Sequence, residues 1–98
     1  MTRQLIIRPE ADADMDDAYG WYELQNPGLG QTFQQAVITS LTKIQQNPFL
    51  YPVIHQQTRH ALLKRFPYAL LYFVTDMAIV VTACFHNKRD PKVWQSRT

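Results

Sequence analysis

Apolar residues recur in two different rhythms along this chain. In the first half, Ala11, Met15, Ala18, Tyr19 and Tyr22 fall at helical spacing, and Phe33, Val37, Leu41 and Ile44 step by four, four and three, with Ala36 and Ser40 beside them. Each set marks one face of a helix. Pro9 suits the first turn of the earlier helix, where a missing N–H costs nothing. Asn26-Pro27-Gly28 and Gly30 break the pattern, and the second helix is predicted from about Leu29 to Gln46, roughly 27 Å long, before Asn47-Pro48 stops it. A short loop between two amphipathic helices predicts an antiparallel helical hairpin.

The second half reads as strands. "YALLYFVT" and "AIVVTACF" are rich in aromatic and β-branched residues and apolar on both faces, as central strands are. "TDMA" between them is a tight turn, which predicts a hairpin. "YPVIHQ" and "RHALLKRF" are further strand candidates, and Leu5–Ile7 form a short N-terminal strand that joins the sheet. The expected fold is α+β, as one domain over residues 1–98: an N-terminal strand, an antiparallel helical hairpin, then three or four strands in a mainly antiparallel sheet covered on one face by the helices (β-α-α-β-β-β).

With 98 residues, 46% hydrophobic and 12% aromatic, the chain is too apolar for a disordered segment. It holds no apolar run of membrane-spanning length, so no membrane association is expected. The N-terminal apolar patch is only three residues long, and a cytoplasmic location is expected. The charge is divided unevenly. Residues 1–50 carry three basic and six acidic side chains, residues 51–98 seven basic and two acidic, and all three histidines lie in the later half. A basic half points to an anionic partner, nucleic acid or an acidic protein segment. The five acids between Glu10 and Asp17 read as a charged helix start, not a metal site. His55 and His60 have no zinc-ligand spacing. Cys84, the single cysteine, reads as a small buried hydrophobe; His86, two residues on along the same strand face, would lie about 6–7 Å away, too far for a direct pair.

In order and spacing, "ADADMDDAYGWYELQNPGLGQTF", "NPFLYP", "KRFPYALLYFV" and "HNKRDPKVW" resemble the RelE/ParE superfamily, from about Ile6 to Arg97. These are small toxins of bacterial type II toxin–antitoxin modules, often labelled plasmid stabilisation proteins. The resemblance implies two helices against an antiparallel sheet, growth inhibition by the toxin, and a cognate antitoxin as partner whose flexible part wraps the toxin. It implies one of two targets: ribosome-bound mRNA, cut by RelE-like members, or DNA gyrase, inhibited by ParE-like members that are not nucleases. The other reading of the residues is a non-toxic or degenerate nucleic-acid-binding module of the same fold.

If the chain is an enzyme, the expected activity is a metal-independent, ribosome-dependent endoribonuclease, with no metal and no cofactor. Such chemistry needs a group to activate the ribose 2′-OH, a proton donor for the leaving oxygen and cations for the phosphate. The resemblance directs these roles to His86, Arg89 and Arg59. Arg59, Lys64, Arg65, Lys88, Arg89 and Trp94 are the candidate contacts to a partner or nucleic acid, and the antitoxin's segment is expected to be acidic or mixed, facing Arg59, Arg65 and Arg89. Several have a plainer role available: an ion pair between Arg59 and the acidic first helix, a hydrogen bond to a loop carbonyl for His86, a turn at Asp90-Pro91 fixed by Arg89, a solvated side chain for Lys64, and a lid on the sheet for Trp94. No glutamate follows Glu23 and no tyrosine follows Tyr72, so the carboxylate and the C-terminal tyrosine of some RelE-like members have no counterpart here. Trp94 stands in the tyrosine's place and can stack on a base but cannot transfer a proton.

Overall fold

The computed structural model describes residues 3–97; residues 1, 2 and 98 of the expected domain lie outside the described residues. The elements are β1 (Gln4–Ile7), α1 (Pro9–Gln25), α2 (Leu29–Gln46), β2 (Val53–His55), β3 (Thr58–Leu62), β4 (Tyr68–Val74), β5 (Ala78–His86) and the single turn α3 (Lys92–Gln95). The sheet runs β1-β5-β4-β3-β2. β1 lies parallel to β5, with Gln4 opposite Ala78 and Ile7 opposite Val81, and the other pairs are antiparallel. The fold is thus the expected α+β arrangement, with four strands after the helices and one added turn of helix in the tail.

Local chemistry sets the boundaries. Pro9 opens α1 with Glu10 and Asp12 in its first turn, where carboxylates oppose the helix dipole. Gly28 takes a left-handed backbone, φ 92°, to start α2. The exposed amides there are met from α1: the Glu23 carboxylate accepts the N–H groups of Gly28 and Gly30, both at 3.0 Å. Gly30 is required by contact, since a Cβ would lie 2.9 Å from the carbonyl oxygen of Tyr19. In the β4–β5 turn, the Thr75 hydroxyl accepts the N–H groups of Met77 and Ala78.

Alternation along the strands divides the core. Leu70 and Tyr72 of β4 and Ile79 and Val81 of β5 face the helices, packing with Phe33, Val37 and Ile44. Rings of Tyr22, Phe33, Phe66 and Tyr68 meet at centroid distances of 4.9–6.1 Å and join both helices to the β3–β4 turn, through Phe66, which is buried, and Tyr68, which is half-buried. On the opposite face Ala69, Leu71, Ala83 and Phe85 are covered by Trp94. The expected lid role of Trp94 is what the tail adopts.

Candidate functional site

A β-bulge in β5 determines which side chains reach the site. Tyr72 pairs with Val81 but Leu71 pairs with Ala83, so Thr82 is an extra residue. It reverses the alternation: Ile79 and Val81 face the helices, and past the bulge Cys84 and His86 do so instead of Ala83 and Phe85. Side chains hold the irregularity in place. The Thr82 hydroxyl donates to the carbonyl of Leu71 at 3.3 Å, the Asp14 carboxylate accepts the Cys84 N–H at 3.1 Å, and Arg97 donates to the Thr82 carbonyl at 3.3 Å. Arg97 also pairs with Asp14 at 2.7 Å. β1 ends opposite Val81, so here a carboxylate and a guanidinium satisfy the strand edge that a neighbouring strand would otherwise pair.

The bulge turns His86 into a cleft of about 660 Å³ between α1 and the end of β5. Asp14, Asp17 and Trp21 form the α1 wall, spaced so that they share a helix face; Tyr68 and His86 form the floor, and Lys88 and Arg89 stand at the mouth. The backbone N–H of Lys88 donates to His86 Nδ1 at 3.1 Å, so the neutral ring carries its proton on Nε2. The ring also meets Tyr68 edge-on at 5.1 Å. His86 therefore binds its own loop through a ring nitrogen and an amide, not through a loop carbonyl as expected. Arg89 lies over the Phe85 ring at 5.0 Å, and its N–H closes a turn onto the His86 carbonyl. Asp90 continues the turn by accepting the Lys92 N–H.

The thiol and the phenols beside the cleft stay neutral. Burial, helped by the charge of Asp14, pushes the Cys84 thiol up to about 12, so it is a packed thiol and not a nucleophile. Burial also raises Tyr68 and Tyr22, which remain phenols near neutral pH. The cleft can thus offer an imidazole N–H donor, the Asp17 carboxylate, two cations and an indole ring that is 56% exposed. Among the described residues no group of three or more His, Cys, Asp or Glu side chains is placed to hold a metal ion.

The sequence candidates occupy separate places. His86, Lys88 and Arg89 share the cleft, while Trp94 covers the other sheet face. Lys64 and Arg65 line a groove on the α2 side. Arg59 is elsewhere again: its guanidinium donates to the carbonyls of Tyr51 at 2.6 Å and Phe49 at 3.3 Å and lies over the Phe49 ring. The expected ion pair of Arg59 with the first helix is therefore corrected. β3 sits two strands from β5 and on the far side of β4, and α1 takes its cation from Arg97 instead. From the register, with Arg59 opposite Tyr72 and His86 opposite Tyr68, these two residues lie roughly 16 Å apart. Arg59, Arg65 and Arg89, the three arginines expected to face an antitoxin segment, thus lie in three different places: the α2–β2 loop contact, the α2 groove and the cleft. Sequence reasoning missed Asp14, Asp17, Trp21 and Arg97. The available signal was the position of Asp14 on the apolar stripe between Ala11 and Ala18, where a solvated carboxylate does not belong.

Residues 5–91 match the family model described as the ParE toxin of the type II toxin–antitoxin system, parDE. The chain belongs to the ParE toxin family. It is 28% identical over 92 residues to Toxin ParE2 of Mycobacterium tuberculosis, in strains CDC 1551 / Oshkosh and ATCC 25618 / H37Rv, across 93% of this chain and 88% of the relative. Among solved structures it resembles a chain of the chromosomal ParDE TA system from P. aeruginosa, with a TM-score of 0.78 and 20% identity over 87% of this chain and 96% of that one. That likeness carries the fold. The α1–β5 cleft brings together His86, Lys88 and Arg89. No helix among the described residues is long and apolar enough to cross a membrane.

Proposed function

We propose that this ParE-family chain is the toxin of a type II module, restrained by a cognate antitoxin, and that it inhibits DNA gyrase by binding it rather than by cutting mRNA. The observation that carries the choice of target is the separation of the candidate catalytic groups. Arg59 is committed to two loop carbonyls and lies roughly 16 Å from His86, so both cannot act on one phosphate. What remains at the cleft suits protein recognition: Trp21, 56% exposed on α1, lines it with the cations Lys88 and Arg89, and Leu24, 85% exposed, lies three residues further along the same helix. The ParE description of the family supports the same target.

A ribosome-dependent nuclease is the second reading, favoured by Asp17, His86 and Arg89 lining one cleft. The purified toxin added to a gyrase supercoiling reaction, and in parallel to a translating extract, separates the two. Loss of supercoiling with intact mRNA, reversed by the antitoxin, is expected. Cleaved mRNA with unimpaired supercoiling would overturn the gyrase reading.

A further inference from the structure

A second concave site lies on the opposite flank of the helical layer, between α2 and the β3–β4 turn, and encloses about 280 Å³. Its charge is one-sided. Lys43 from the last turn of α2 and Lys64 and Arg65 from the turn all line it, and no carboxylate does. Among the described residues these three cations have no ion-pair partner, since the ion pair formed is Arg97–Asp14 at the other end of the sheet. Arg65 holds a left-handed backbone, φ 75°, a conformation that is unfavourable for a residue with a side chain and that is commonly retained at binding sites.

Neutral donors complete the set. Gln35, Thr39 and Ser40 of α2 line the same wall, and their side chains make no hydrogen bond among the described residues. Ser40 is 7% exposed and lines the groove, so its hydroxyl is available to a ligand there. At the other end of the groove Tyr51 and Leu62, the latter 61% exposed, offer flat apolar surface.

Three uncompensated cations and three uncommitted neutral donors exceed what one carboxylate can accept; a phosphate group, with more oxygens and tetrahedral reach, uses more of them. The apolar end suits a base or sugar. We propose that this groove binds the phosphate of a nucleotide unit, presented either by a nucleic-acid strand or by a free nucleotide. The site shares no lining residue with the α1–β5 cleft and does not depend on the gyrase reading.

Calorimetry on the full chain tests this with three probes: AMP, a short single-stranded DNA, and a poly-glutamate peptide. The DNA or AMP should bind, and poly-glutamate should bind far more weakly. A strand contacting all three cations should lose affinity with salt at a log–log slope of about −2. Lys43→Gln and Lys64→Gln should each weaken binding by about tenfold. Ser40→Ala, which removes only a hydroxyl, should weaken it several-fold without lowering the melting temperature, whereas Lys88→Gln in the cleft should leave it unchanged. Tighter binding of DNA than of AMP identifies a strand as the source, and equal binding identifies a free nucleotide. No binding of either, equal binding of poly-glutamate, or indifference to all three groove variants overturns the proposal.

Discussion

On one face of the sheet, Leu70, Tyr72, Ile79 and Val81 lie beneath two helices; on the other, Ala69, Leu71, Ala83 and Phe85 are closed by the ring of Trp94. The same two strands, β4 and β5, supply both faces. The helix face is built from elements whose ends are fixed locally, by Pro9, by Gly28 and by the Glu23 carboxylate. The tail face depends on a single turn of helix and on Arg97 reaching round the β5 edge to Asp14. Stability therefore resides on the helix face, and the tail is the cheaper part to move. The α1–β5 cleft stands where the two meet.

Phe33→Ala should have the largest effect. It empties a side chain that is 1% exposed and in ring contact with Tyr22, Phe66 and Tyr68, a loss of about 3–5 kcal/mol that approaches the whole stability of a small domain. Urea unfolding measures it. Trp94→Ala should cost about 2–3 kcal/mol, at or below the low end for a buried aromatic, because one thin cluster is opened. Hydrogen exchange should then rise over residues 90–97 while α1 and α2 stay protected. Equal losses for the two variants would erase the distinction between the faces.

Alkaline pH should act on the helix face alone. Burial raises both Tyr72 and Cys84 to about 12, against ordinary values of 10.0 and 9.0. Above about pH 9 the unfolded thiol loses its proton while the folded one keeps it, so stability falls as pH rises, by up to about 1.4 kcal/mol per pH unit for Cys84, and Tyr72 adds a further loss above about pH 10. Cys84→Ala should remove the earlier part of that fall in a melting series. The smallest effect belongs to the edge. Asp14→Asn and Arg97→Gln, combined in a double-mutant cycle, should show a coupling of about 1 kcal/mol, because both side chains remain nearly a fifth exposed and solvent screens them.

Much of the helix face was legible because its signals are local. Pro9, Asn26-Pro27-Gly28 and Asn47-Pro48 punctuate two apolar stripes, and "TDMA" marks the hairpin. The bulge was not legible. In "IVVTACF" both faces are apolar, so inserting Thr82 leaves no mark on the alternation, yet it moves Cys84 and His86 to the other side of the sheet. Long-range partners were hidden for a related reason: a guanidinium can meet a carboxylate or a carbonyl equally well. Arg59 takes carbonyls of the α2–β2 loop, while Arg97, which carried no sequence signal, takes Asp14.

Growth after induction of two cleft variants tests most directly whether the cleft acts as a recognition surface. Trp21→Ala removes exposed contact area, and His86→Ala removes the one imidazole without touching that area. With both variants shown folded and equally abundant, Trp21→Ala should relieve the growth arrest and His86→Ala should largely preserve it. Full toxicity of Trp21→Ala with complete loss in His86→Ala would contradict the account and identify the cleft as a site of chemistry.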